Sequence, residues 1–262
     1  MVMSLATTSA NAPRGNHLLG QWPQEELARV LPHLEAVELL KGRVLFEAGT
    51  PSPHVFFPAT SIVSLIYTTH SGASSQVAMV GPEGLVGISG LMGGESPASR
   101  AVVQRAGLAY RLRLNTLREE FQRGGLVTHS LLRYMQSLIT QMAQAAVCNR
   151  HHALERQLCR WLLQCLDRQH GHSELSVTQE LIANMLGVRR EGVTEGAQRL
   201  QAAGLIRYTR GHIAVLDRPG LEARACECYS LLKLDFQRLL PQAVTETHAT
   251  TSAAFAPVAV QA

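Results

Sequence analysis

The chain has 262 residues, 46% of them hydrophobic and 17% charged, enough apolar material to bury a large core in one long domain or two modest ones. Its formal charge of +4 is mild for a nucleic-acid binder, so such a role has to rest on a local basic excess. The cysteines, Cys148, Cys159, Cys165, Cys226 and Cys228, are odd in number and follow no cationic, apolar leader, which argues against a disulfide framework and for a reducing cytoplasm; no apolar run approaches the roughly 20 residues that span a bilayer.

Residues 1–20 are rich in Ala, Ser, Thr, Asn and Gly without periodicity and read as a disordered tail, as do residues 237–262 at the other end. Residues 24–34 carry apolar side chains at 27, 30, 31 and 34, a short amphipathic helix. From residue 37 to 114, short apolar runs at 44–46, 55–57, 62–67, 77–80, 101–103 and 108–112 are separated by Gly, Pro and Ser. That is an antiparallel β unit, which several barrels or sandwiches would satisfy. Glu119 and Glu120 beside Arg118 and Arg123 read as a solvated helix face.

Residues 126–169 contain neither Pro nor Gly. Leu131, Met135, Leu138, Met142 and Ala145 alternate steps of four and three, the heptad seam of a coiled coil, and suggest a dimer. The helix can also pack on its own β unit, through a second stripe at Leu132, Ile139 and Ala146, and adjacent faces allow both contacts. A break near residues 149–152 separates it from a second helix with a core-facing stripe of Leu154, Leu158, Trp161, Leu162 and Cys165.

Residues 178–206 read in mechanical detail. Ile182, Ala183, Leu186, Val188, Val193, Ala197 and Leu200 sit where two short helices packed across a tight turn need small and apolar side chains. Thr178 is the expected N-cap and Gly187 the sharp turn. The first helix is predicted over 179–186 and the second from about 189, with Glu191, Thr194, Glu195 and Gln198 outward. Residues 207–216 flank a glycine turn with two apolar runs, a β-hairpin wing. Arg189, Arg190, Arg199, Arg207 and Arg210 outnumber Glu191 and Glu195 here, so the basic excess is focused on this motif. Gly192 and Gly196 each cost a helix interior about 1 kcal/mol relative to Ala. Close approach to the first helix is the expected reason for Gly196, and a DNA-side role for Gly192.

This order, with Gly187, Val188, Arg190, Glu191, Val193, Leu200 and Gly204-Leu205-Ile206, resembles the winged-helix domain of the Crp/Fnr family of bacterial transcription regulators. The resemblance implies an α+β chain: a disordered tail over 1–20, a cyclic-nucleotide-binding-like antiparallel β-roll over 21–122, a long dimerisation helix over 123–149, a winged helix-turn-helix over 150–236 and a tail over 237–262. It also implies a homodimer that places two recognition helices on a near-palindromic DNA operator, with RNA polymerase as a further partner. The DNA-binding candidates are Thr178, Arg189, Arg190, Glu191, Thr194, Glu195, Gln198, Arg199, Arg210 and His212, and the dimer candidates are Leu131, Met135, Leu138, Met142 and Ala145. Glu195 stands where relatives usually carry an arginine, so the operator is expected to depart from the familiar consensus.

Family members that bind a cyclic nucleotide use a Gly-Glu pair for the ribose and an Arg-Ser or Arg-Thr pair for the phosphate. Gly84 and Gly87 match the glycine framework, but Ile88 occupies the glutamate position and Ala101 follows Arg100, so control by cyclic nucleotide is not expected. Glu83 and Glu95 lie off the matching position. No cofactor or metal is predicted. With Cys148 the first cysteine, an N-terminal iron–sulfur cluster is excluded, and neither Cys148 with His151 and His152 nor Cys226 with Cys228 has a four-ligand spacing. No Gly-x-Ser-x-Gly elbow, phosphate-binding loop or His-Glu-x-x-His is present, so an enzyme is not expected. The alternatives are a protein-interaction scaffold that keeps the fold and a ligand-sensing signalling protein.

Overall fold

The computed structural model describes residues 13, 15–94, 96–169 and 171–240. The chain enters the fold at Asn16, a buried side chain whose Nδ2 donates to the carbonyls of Pro58 and Gly84, each at 2.8 Å. Its Oδ1 accepts from Leu19 N and so caps the helical turn α1 (His17–Gly20). Leu18 and Leu19 are fully buried, so the expected tail ends before this turn: one asparagine supplies the anchoring that the surrounding composition does not suggest. The remainder of that tail over 1–12, and the other over 241–262, lie outside the described residues. α2 (Gln24–Val30) buries Leu27 and Val30, and the 3₁₀ turn Leu31–His33 delivers the chain to the sheets.

Among the described residues the β unit has seven strands: β1 (Glu35–Leu39), β2 (Val44–Phe46), β3 (His54–Pro58), β4 (Ile62–Thr68), β5 (Ser74–Val80), β6 (Arg100–Arg105) and β7 (Gly107–Arg113). They pair antiparallel in two sheets, ordered β1-β7-β3 and β2-β6-β4-β5. The inner faces enclose Phe46, Val55, Phe57, Val63, Val80, Val103 and Leu112. β1 escapes a search for apolar runs because exposed Glu35 and Glu38 leave only Ala36 and Val37 side by side; it is placed by its register against β7, where Glu35 faces Arg111.

α3 (Leu114–Arg123) does not present a wholly solvated acidic face. Glu119 is exposed, but Glu120 is buried and accepts from Arg29 at 2.8 Å and Arg123 at 3.1 Å. The arginine that neutralises it lies 91 residues away, on α2.

α4 (Gly125–His151) corrects the dimer assignment. Leu131, Met135, Leu138 and Ala145 are buried and Met142 is half-buried, all turned toward the β-roll of the same chain. The other stripe faces outward, with Leu132 49% and Ile139 53% exposed. One residue of offset rotates a helix position by about 100°, so two nearly equal apolar stripes can exchange roles. The inward side is decided by Tyr134, which belongs to neither stripe, is fully buried and donates to the Leu85 carbonyl at 2.7 Å.

Beyond α4 come α5 (Leu154–Asp167), β8 (Glu174–Leu175), α6 (Gln179–Leu186), α7 (Arg190–Ala202), β9 (Ile206–Thr209), β10 (His212–Val215), α8 (Arg218–Arg224) and α9 (Glu227–Leu239). The wing gains a third strand, in the order β8-β10-β9; two residues are too short for a strand to show in the pattern. Residues 237–240, expected in a tail, finish α9 and bury Leu239 and Leu240 in the β-roll core. The helical core around Trp161, Leu162, Ile182 and Leu200 also contains Ile62, Ile66 and Met79 from β4 and β5. Polar contacts cross the same junction: Trp161 Nε1 donates to Gln76 Oε1, and Arg168 Nε to Glu83 Oε1, each at 2.8 Å.

Candidate nucleic-acid interface

The recognition element is built as its residues require. Thr178 has extended backbone and its hydroxyl accepts from Leu181 N at 3.1 Å, capping α6. Gly187 then takes φ +66°, the left-handed conformation that ends α6 without a Cβ penalty, and donates from its N–H to the Ala183 carbonyl. α7 buries Val193, Gly196, Ala197 and Leu200, and holds Arg190, Glu191, Glu195 and Gln198 in solvent, with Arg189 as its N-cap residue. At the wing tip Gly211 turns at φ +79°, and Arg207, Arg210 and His212 are exposed.

Three candidates have their polar groups engaged inside the motif. The hydroxyl of Thr178 is the cap, and Thr194 Oγ1 donates toward Gln179 Oε1 at 2.8 Å, tying the two helices together. Arg199 turns back to α5, where its Nε meets Glu155 Oε2 at 2.8 Å, and lies 3.9 Å from Glu195. Gln179 and Glu155 are therefore supports that the sequence did not single out, because each acts on a residue far along the chain.

Both unusual glycines face α5. A Cβ on Gly192 would meet Leu154 Cδ2 at 2.8 Å, so packing, not the DNA side, accounts for this position. At Gly196 it would meet Leu158 Cδ2 at 3.4 Å, an ordinary contact, and the neighbour is α5 instead of the first helix of the motif.

Between the β-roll and α4 lies a cavity of about 370 Å³, lined in part by Phe46, Leu65, Leu85, Met135, Leu138 and Met142, with Gly87 and Ile88 at its edge. Among the described residues no charged side chain lines it. Ile88 is buried in the apolar core, and Gly87 has φ +99°. Gly84, Arg100 and Ala101 do not line the cavity: Arg100 pairs with Glu47 at 3.0 Å, Ala101 is fully buried in β6, and Gly84 lies under the Tyr134 ring. Glu83 is committed to Arg168 and Glu95 lies outside the described residues.

A second constellation was present in the sequence only as two incomplete halves. Cys148 and His152, at the end of α4, meet Cys226 and Cys228, at the start of α9, and their four candidate ligand atoms lie within 4.8 Å of one another. Cys148 Sγ is 3.5 Å from Cys226 Sγ, and Cys228 Sγ is 3.4 Å from His152 Nδ1. His151 is on the exposed side and takes no part. The hydrogen bond from Cys148 lowers the Cys226 thiol against the effect of burial, while Cys148 itself is pushed up.

An antiparallel β-roll, a long helix and a winged helix-turn-helix with its polar face outward make up the layout of a helix-turn-helix regulator. Residues 36–123 match the model of the cyclic nucleotide-binding domain and residues 156–224 that of the Crp-like helix-turn-helix domain. The chain belongs to the Crp/Fnr family of transcription regulators, whose members are typically not enzymes.

Similar solved structures include a Eubacterium rectale protein described as a regulator of this family, with 17% identity over 79% of this chain and 96% of that one and a TM-score of 0.64. FixK2 from Bradyrhizobium japonicum has 15% identity over 74% and 98%, with a TM-score of 0.64. The c-di-GMP-responsive global regulator CLP of Xanthomonas campestris has 16% identity over 74% and 99%, with a TM-score of 0.61. No curated protein matches the sequence. No helix among the described residues is long and apolar enough to cross a membrane.

Proposed function

We propose that the protein is a sequence-specific DNA-binding regulator that acts as a homodimer on a near-palindromic operator and is not controlled by cyclic nucleotide. The observation that carries this reading is the outward set Arg189, Arg190, Glu191, Glu195 and Gln198 on and before α7, next to the exposed wing tip at Arg210 and His212. Arginines there suit phosphate and guanine, and the carboxylates can accept from cytosine or exclude other bases.

The pairing face is the outward side of α4. Leu132, Gln136, Ile139, Ala143 and Ala146 are exposed and step by four, three, four and three, the repeat of a two-helix seam. Pairing there sets two recognition helices for major grooves about 34 Å apart. The effector cavity disfavours a nucleotide, since a cyclic phosphate needs a cation and no charged side chain among the described residues lines it, although Tyr67, Ser89, Ser96 and Ser99 place hydroxyls there. RNA polymerase follows as a partner from the family.

Site selection from a random DNA library, followed by salt-dependent gel shifts, tests the reading. The expected result is a palindromic consensus bound at least about a thousandfold more tightly than random DNA, unaltered by cyclic AMP or cyclic GMP. Recovery of no consensus sinks DNA reading in favour of a scaffold. A saturable nucleotide effect sinks the effector argument alone.

A further inference from the structure

The cluster at the end of α4 has the composition, closeness and enclosure of a structural metal centre. Cys148, Cys226 and Cys228 are buried, and His152 is mostly covered, so four protein ligands surround one small volume without an open side for substrate. A tetrahedron with metal–sulfur arms of about 2.3 Å has sulfur–sulfur edges of about 3.8 Å. The Cys148–Cys226 and Cys228–His152 separations of 3.5 and 3.4 Å approach those edges. A multi-iron cluster spreads its thiolates over several irons and needs ligands further apart than the 4.8 Å limit here.

The surroundings are those of a ligand set as well. With Nδ1 of His152 turned to the sulfurs, its Nε2 faces Glu227 Oε1 at 3.1 Å, the carboxylate–histidine arrangement that fixes the ring on a metal. Gln144 Nε2 donates to Cys228 Sγ at 2.9 Å. Three thiolates and a neutral imidazole leave one negative charge on a divalent ion. The buried guanidinium of Arg160, whose Nε has no partner among the described residues, is close enough to act on Cys148 and Cys226 and can offset that charge.

We propose that Cys148, His152, Cys226 and Cys228 bind one zinc ion through three sulfurs and His152 Nδ1, closing a structural site that staples the end of the long helix to the first turn of the last one. Zinc is the divalent ion of tetrahedral sulfur-rich sites with nitrogen. Loading displaces the thiol protons to solvent, with no change of oxidation state. The staple fixes the C-terminal helix on the end of α4, at a place outside the effector cavity.

Elemental analysis of the full-length protein, purified without chelator or a metal-affinity step, tests this. One zinc per chain is expected, with Cys226→Ser and His152→Ala each losing it and Cys159→Ala retaining it. Cobalt exchanged into the site should show the strong visible bands of a tetrahedral thiolate complex, shifted but not lost in His152→Cys. Glu227→Gln and Gln144→Leu should weaken the metal by about 10 to 100-fold without removing it. A folded wild-type chain with neither stoichiometric zinc nor tetrahedral cobalt bands overturns the proposal. So does iron with acid-labile sulfide, or a Cys148–Cys226 disulfide in protein purified anaerobically. Should Cys226→Ser not fold, the His152 variants and the cobalt spectrum of the wild type decide alone.

Discussion

Tyr134 rests directly on Gly84: a Cβ at Gly84 would lie 2.2 Å from the ring, whose Oη meanwhile donates to the neighbouring Leu85 carbonyl. The glycine matches the family framework, but here its physical reason is the aromatic ring of α4 and not a ligand. Gly84→Ala should therefore destabilise the chain by about 1–3 kcal/mol through overpacking. Tyr134→Phe should cost a comparable about 1–3 kcal/mol because the Leu85 carbonyl stays buried and loses its donor. Urea unfolding of both variants checks the pair, and a neutral Gly84→Ala would mean that the ring yields.

The buried and exposed faces of α4 give the proposed pairing its test. Ile139→Lys should dissociate the dimer and leave the chain folded, because the side chain is 53% exposed. Leu138→Lys, one residue away and buried, should unfold the β-roll instead. Sedimentation read beside circular dichroism distinguishes them, and a dimer unchanged by Ile139→Lys places the interface elsewhere.

The recognition helix can be strengthened at one of its glycines. Gly196→Ala should stabilise the protein by up to about 1 kcal/mol, since a methyl group meets only an ordinary contact with Leu158. Gly192→Ala should gain less, because the same helix benefit is offset by displacing Leu154. Reversal of that order in thermal or urea unfolding would refute the packing account.

Glu195 is 69% exposed and 3.9 Å from Arg199, so its carboxylate is free to turn toward a base. If it accepts from a cytosine amino group, Glu195→Ala should lose about 1–3 kcal/mol of discrimination at one operator position and spare the others. Uniformly tighter binding to every sequence would instead mark it as a charge merely tolerated near phosphate. Arg190→Ala is the companion measurement: a larger loss on the operator than on random DNA indicates guanine, and an equal loss indicates phosphate.

The helix-turn-helix was legible because its signals are local: Thr178 caps, Gly187 turns, and the apolar spacing between them belongs to one short stretch. The six β runs were legible for the same reason. What escaped depends on distant partners. Cys148 and Cys226 are 78 residues apart, and neither half of the cluster has a metal-binding spacing alone. Glu120 is buried by virtue of Arg29, and α1 is held by what Asn16 reaches across the fold. The inward side of α4 could not be chosen from two similar stripes without the loop that receives Tyr134.

Ile62, Ile66 and Met79 of the β-roll stand within the core around the helix-turn-helix, so no solvent layer separates the two parts there. Unfolding either part strips apolar cover from the other, so the pair should melt as one cooperative unit, with a single endotherm in calorimetry. A small molecule filling the cavity beside α4 should then raise the melting temperature of the wing and the recognition helix as much as that of the strands it touches. Heat thus provides a search that needs no operator: any compound that binds the native chain raises the one melting temperature that both parts share.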